Sequence, residues 1–225
     1  MKLLFVAFVG SAAAAAPVTL VSFDGNKTTT RIWHKTDDPV MGGKSKSTFD
    51  VADSLGIFDG VCAIVPSLAA PGFCKVATAP ATKLTPFPSV SDFLAGGGLY
   101  LTVRGNSSFS GYKVAFDNAN VKCPRTGFPG VASWKAPLTL PPAASHEFVT
   151  VKVPFNTFSC DWSGYTGGCD TKDPTGVQHV CCTDETPEVC PTSEVLRSIT
   201  GLELWAEGAE GIFHLEIMSI GAGPL

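Results

Sequence analysis

Apolar and polar residues alternate with a period of two in short stretches along most of this chain, and no other feature constrains its fold more. In GLYLTVRG, Leu99, Leu101 and Val103 point one way and Tyr100, Thr102 and Arg104 the other, the signature of a strand with one face buried. The same rhythm runs through GYKVAFDN (Tyr112, Val114, Phe116), FVTVKVPF (Val149, Val151, Val153) and GIFHLEIMSI (Phe213, Leu215, Ile217). Further strands are expected at VTLVSF, KSTFDV, GIFDGVCAIV, GFCKVAT, SWKAPLTL and GLELWAE. Gly/Pro/Asn/Ser clusters such as GNSSFSG and PPAAS separate them, and helical periodicity is confined to a short turn at TSEVLRSI. About ten short strands between turn signals predict an all-β sandwich or jelly roll.

One segment breaks the rhythm. CDWSGYTGGCDTKDPTGVQHVCCTDETPEVC, Cys160 to Cys190, is rich in Gly, Asp, Thr and Pro and holds five of the eight cysteines. It is too polar to build a core of its own, so disulfides must staple it. Cys62 and Cys74 lie on the two arms of an expected hairpin and are expected to pair across it. Cys123 must then reach the insert to complete an even set with Cys160, Cys169, Cys181, Cys182 and Cys190. The adjacent Cys181 and Cys182 need separate partners, because bridging neighbours strains the backbone. A zinc site would want paired C-x-x-C spacings, and the chain has none.

The first residues, MKLLFVAFVGSAAAAAP, combine one positive charge, an apolar run and small residues, which reads as a secretory signal peptide over residues 1–15. Cleavage is expected after Ala14 or Ala15, leaving one domain, 16–225, that contains the 160–190 insert. A mitochondrial presequence would be Arg-rich, whereas the first arginine is Arg31. No later stretch approaches the roughly 18 apolar residues of a membrane span. Eight cysteines suit an oxidising, extracellular destination, and the sequons at Asn26 and Asn106 would be open to glycosylation on that route. A net charge of −4 provides no basic footprint for nucleic acid. A monomer is expected.

The stretch DDPVMGGKS is more specific. Trp33, followed by Asp38-Pro39-Val40-Met41-Gly42-Gly43 and Ser45, resembles the W…D-x-V-M-G-G-x-S signature of the complex I intermediate-associated protein 30 family. GIFDGVCAIVPSLAAPGFCKVAT is similar to that family's F-x-G…G-G-F segment, with Pro71 where the first glycine of the pair would stand. FVTVKVPFNTF resembles its L-P-F-x-x-F strand, and GIFHLEIMSIGA its closing strand. The resemblance covers roughly Leu20 to Ala222. It implies a galactose-binding-like jelly-roll β-sandwich and, for the mitochondrial members, a chaperone role in respiratory complex I assembly. The leader, the cysteines and the insert set this chain apart from a matrix protein. In residue terms DDPVMGGKS reads as a corner: the glycines permit a tight turn or bulge, Met41 plugs a gap beneath it, Asp38 caps the turn and Asp37 stays free at the surface.

Catalytic signals are sparse. There is no G-x-S-x-G elbow, and His34, His146, His179 and His214 have no metal-ligand spacing, so each reads as a surface or strand histidine. Gly96-Gly97-Gly98 precedes a strand rather than a helix, the wrong order for a phosphate loop. No cofactor and no metal are expected; acids of the insert lack the spacing of a calcium loop. Glu203, Trp205 and Glu207 share one face of GLELWAE, but roughly 13 Å separates residues four apart on a strand. Glycosidase carboxyls sit about 5.5 Å apart in retaining enzymes and at most about 9.5 Å apart in inverting ones. These two glutamates cannot be a dyad, and a partner such as Asp117 or Glu216 would have to come across the sheet.

Binding fits better, because sugar rings stack on aromatic faces while carboxylates take their hydroxyls. Trp162 and Tyr165, with Asp161 and the neighbouring Asp170 and Asp173, form the leading contact site; the alternative is that both rings pack the stapled insert. Trp134 and Trp205, with Glu203, are expected on a concave sheet face, and Trp33 in the core or at a corner. The expected function is a secreted, non-catalytic module for extracellular or cell-wall carbohydrate. A chaperone for client proteins is the alternative, and a glycan-active enzyme the third reading.

Overall fold

The computed structural model describes residues 16–79, 86–118, 120–125 and 133–225, so the leader and its cleavage point lie outside the described residues. All ten expected strands form: β1 (Val18–Ser22), β3 (Lys46–Ala52), β4 (Leu55–Cys62), β5 (Phe73–Thr78), β6 (Gly97–Gly105), β7 (Tyr112–Asn118), β8 (Ser133–Pro137), β9 (Val149–Pro154), β10 (Ile199–Glu207) and β11 (Gly211–Pro224). An eleventh, β2 (Trp33–Asp37), escapes the sequence pattern because WHKTD is an edge strand with one large apolar residue. Among the described residues there are also two short α-helices, α1 (Lys27–Thr30) and α2 (Ser193–Arg197), the second at the TSEVLRSI turn with Thr192 capping its start, and several single 3-10 turns.

Every strand pairing among the described residues is antiparallel. One sheet runs β3-β4-β11-β6-β9 with β1 added to the long β11; the other runs β2-β5-β10-β7-β8. Their inner faces make the core of an all-β sandwich. Phe58, Leu99, Leu101, Val103, Phe213 and Leu215 come from the six-stranded sheet, and Val76, Val114, Phe116, Leu202 and Leu204 from the five-stranded one. Trp134 belongs to this core. It is 1 % exposed and stacks on Phe116 at 6.3 Å, so it faces away from any ligand. The parity of SWKAPLTL explains the correction: Trp134, Ala136 and Leu138 alternate inward while Ser133, Lys135 and Pro137 turn outward. Trp33 packs at one edge between Phe23 and Phe49, at 6.1 and 5.1 Å.

Cys62 and Cys74 are not bridged. The strands that carry them form no hairpin: β4 joins one sheet and β5 the other, with residues 63–72 crossing between them. The two thiols meet backbone carbonyls instead, Cys62 Sγ against Gly72 O of the crossing at 3.4 Å and Cys74 Sγ against Val61 O of β4 at 3.9 Å. Burial pushes both thiols' pKa up, which keeps them protonated as small core residues.

DDPVMGGKS is the corner where these crossings meet. Gly42 takes a φ of 90°, and a Cβ on Gly43 would collide with the Asp38 carboxylate. That carboxylate does not cap its own turn. It accepts from Ser45 N (2.8 Å), Ser45 Oγ (2.7 Å) and Phe73 N (3.1 Å), tying the approach to β3 onto β5. Asp37 is not free either: it accepts from Ser47 N at 3.1 Å and Ser47 Oγ, and pairs with Lys35 at 2.7 Å. Two sheets that diverge from one corner leave backbone donors unpaired there, and the two aspartates satisfy them. The Met41 side chain lies outside the described set. Among the described residues no helix is long and apolar enough to cross a membrane.

Candidate functional site

The outward face of the five-stranded sheet carries charge instead of solvent-facing filler. Alternation on β10 sends Leu202, Leu204 and Ala206 into the core and Glu203, Trp205 and Glu207 outward. β7 adds Lys113 and Asp117, β8 adds Ser133 and Lys135, and β5 adds Phe73 and Lys75 on the same face. These groups pair in place. Lys75 Nζ meets Glu203 at 2.9 Å, Lys135 Nζ meets Glu207 at 2.6 Å, and Lys113 Nζ reaches the same carboxylate at 3.3 Å and donates to the Glu207 carbonyl at 2.6 Å. Burial lowers the pKa of Lys113, against the pull of Glu207. At the far end of the face, burial and the nearby Glu203 push the Asp117 carboxyl up to about 7, while Lys75 and Ser133 act the other way.

Two segments rise over this floor. The 63–72 crossing brings Val65, Leu68, Ala70 and Pro71 along one side, and the insert brings Cys160, Trp162, Ser163 and Gly164 along the other. Together with Phe73, Trp205, Ser133, Lys135 and Glu207 they enclose a cleft of about 410 Å³, within the size range of small-ligand sites. Both indoles face it. The Lys135 ammonium lies between them, 4.8 Å from the Trp162 ring centre and 4.3 Å from that of Trp205, a cation–π clamp at the cleft floor. Phe73 packs on Trp205 at 5.6 Å, and Glu203 accepts the Trp205 Nε1–H at 2.9 Å and so sets the orientation of its ring.

The insert holds Trp162 by covalent and ionic means. Cys123 bridges Cys160, Cys169 bridges Cys181 and Cys182 bridges Cys190, so the adjacent cysteines take separate partners. Trp162 Nε1 donates to Lys135 O (3.0 Å) and Ser159 O (2.9 Å), and Lys135 and Ser159 form an isolated β-bridge, which fixes the start of the insert to β8. Behind the ring, His179 bonds two carboxylates, Asp161 at 2.7 Å through Nδ1 and Asp173 at 2.9 Å through Nε2. Arg125 adds a 3.0 Å contact to Asp161, and Ser163 donates to Asp173. Burial works against a charged imidazole here, but the bonds to Asp173 and Asp161 outweigh it and raise the His179 pKa.

The residues singled out by sequence therefore separate. Trp162 and Trp205 come together at one cleft, and Glu203 supports the second ring from beneath. Asp161 is buried in the ionic knot, and Tyr165 stands on the insert at 40 % exposure without lining the cleft. Lys135, Phe73 and Leu68 were missed. The outward parity of Lys135 and Phe73 was readable in their strands, whereas nothing local marks Leu68. Asn26 is exposed at the start of α1, its Oδ1 accepting from Thr28 N at 3.0 Å, while the Asn106 side-chain amide donates to Ile212 O at 3.0 Å.

The family model for complex I intermediate-associated protein 30 (CIA30) matches residues 21–180. This chain belongs to the CIA30 family. The matched span takes in the DDPVMGGKS corner, the 63–72 crossing, β8 and Trp162, and stops before β10, so the CIA30 match includes one indole of the cleft and not the other. No curated protein matches the chain. Among solved structures it is similar to an agarase, AgWH50C, at 12 % identity and a TM-score of 0.47, covering 94 % of this chain and 25 % of that one. It is also similar to a family 30 carbohydrate-binding module (11 % identity, TM-score 0.40, covering 81 % of this chain and 92 % of that one). A third likeness is to the family 30 module of the cellulosomal cellulase Cel9D-Cel44B of Clostridium thermocellum (12 % identity, TM-score 0.38, 94 % of each chain). This CIA30 member spans about a quarter of the length of the agarases it matches.

Proposed function

We propose that this CIA30 member is a secreted, single-domain module, residues 16–225, that binds extracellular or cell-wall carbohydrate in the cleft between Trp162 and Trp205. The observation that carries this reading is the convergence of two indoles on one cleft whose floor is lined with fixed charges. Apolar sugar faces stack on such rings while charged side chains take the hydroxyls. Binding rather than hydrolysis is favoured because Glu203 and Glu207 are both held by lysines and serve as anchors for Trp205 and Lys135. Three disulfides and the signal-like leader support an extracellular destination. Asn26, with its exposed amide, is the better glycan acceptor of the two sequons.

A glycan array probed with the mature protein tests this reading. Binding to at least one polysaccharide class is expected, and Trp162→Ala and Trp205→Ala should each weaken it tenfold or more, about 1.4 kcal/mol. Silence across the array would remove the proposal. A second reading, capture of an apolar segment of a client protein, draws on the cleft's Val65, Leu68, Ala70 and Pro71 side. It requires suppression of aggregation by an unfolded client that Leu68→Asp abolishes.

A further inference from the structure

One end of the cleft is closed. At the Glu207 end of β10 three segments converge: Pro71 from the 63–72 crossing, Thr166–Gly167 from the insert, and Gly208 from the turn between β10 and β11. A Cβ built on Gly167 would lie 3.1 Å from the Pro71 Cβ and 3.0 Å from the Glu207 Cγ. One built on Gly208 would lie 3.3 Å from the Thr166 carbonyl oxygen, and Gly208 N donates to Gly72 O at 3.2 Å. With too little room beside either glycine for even one added carbon, a pyranose ring does not pass between these segments. The closed end is also where polar chemistry concentrates. Lys113 and Lys135 both engage Oε2 of Glu207, and among the described residues Oε1 takes no hydrogen bond.

From this, and resting on the carbohydrate reading above, we infer that the cleft reads the terminus of a glycan chain rather than a run of internal sugars. A terminal sugar carries one hydroxyl that an internal sugar has spent in a glycosidic bond. In a blind cleft that hydroxyl meets Glu207 and its lysines, while the terminal rings lie along the cleft wall beside Trp162 and Trp205, above the Lys135 ammonium. An internal segment has to enter and leave, and the meeting of Pro71, Gly167 and Gly208 blocks its exit. A volume of about 410 Å³ is at the small end of ligand sites and suits a short chain end.

The test uses isothermal titration calorimetry with the full mature protein. Its probes are cello-, laminari-, manno- and agaro-oligosaccharides of two and six units, each free and with the non-reducing terminal hydroxyls methylated. For the series that binds, two and six units should agree within about twofold and methylation should weaken binding at least tenfold, about 1.4 kcal/mol. Glu207→Gln, checked for folding by circular dichroism, should shrink the difference between free and methylated ends. Should that variant fail to fold, the wild-type length and methylation series still decides. Affinity that climbs from two to six units and ignores methylation overturns the inference and leaves the carbohydrate reading standing. Preservation of the free-over-methylated ratio in a folded Glu207→Gln also overturns it. Failure of every probe, with silence on the array, overturns both.

Discussion

Trp205 and Trp162 face the same cleft, yet the segments that carry them are built on different terms. Trp205 stands on β10, a central strand paired on both sides and backed by Leu202, Leu204 and Ala206, so apolar burial holds its backbone. Trp162 stands on a polar insert whose position rests on three disulfides, a two-residue bridge to β8 and an ionic knot around His179. The floor is therefore as stable as the sandwich, while the wall has its own, smaller unit of stability. A cleft between two such units owes its shape to the first and its closure to the second.

Truncating the core sets the upper end of the comparison. Trp134→Ala should cost about 3–5 kcal/mol of global stability in a urea titration, while the fraction that remains folded binds ligand as before. The wall is broken selectively by Asp161→Ala, which strips Arg125, His179 and the Val180 amide of their shared acceptor. Loss of one partner from a buried ionic group costs about 3 kcal/mol. Here it should show as rapid amide exchange across residues 160–182, with the strands of the sandwich still protected.

Raising the pH should weaken both regions, for opposite reasons. A neutral imidazole has one N–H and cannot donate to Asp161 and Asp173 together. The His179 pKa is raised above its ordinary 6.5, so its contribution is complete below about pH 6.5 and is lost as pH rises through the folded value. On the floor, Asp117 is raised from 3.8 to about 7, so its contribution is complete below about pH 4 and is lost as pH rises through about 7, when a buried carboxylate must ionise beside Glu203. Asp117→Asn should raise the thermal midpoint at pH 8 and change it little at pH 4. His179→Gln should remove the loosening of the wall at high pH, read from amide exchange across residues 160–182 at pH 6 and pH 8. The smallest effect belongs to Tyr165→Ala, expected to change ligand affinity less than twofold because that ring stands outside the cleft.

Much of this fold is legible from local pattern. Period-two alternation places ten strands and, for most, the inward face. It also contains the correct orientation of Trp134, whose parity with Ala136 and Leu138 outweighs the general attraction of a tryptophan for a binding role. The need for covalent staples between Cys160 and Cys190 follows from a composition that cannot bury itself. The DDPVMGGKS corner is legible as a corner through its glycines, but not through its aspartates. Asp37 and Asp38 act on Ser47, Ser45 and Phe73, which approach only when two sheets diverge from that point.

By itself, then, the sequence determined the strands, their faces and the demand for a stapled insert, because those follow from spacing and composition within a few residues. Only the tertiary structure decided that β4 and β5 lie in opposite sheets, which leaves Cys62 and Cys74 unbridged. It alone brought Trp162 and Trp205 to one cleft, set Lys135 between them and packed Gly167 against Pro71 and Glu207. Alternation says which way a side chain points but not what will stand opposite it. Which strands pair, and where a polar segment folds back, depends on contacts between residues far apart in the chain.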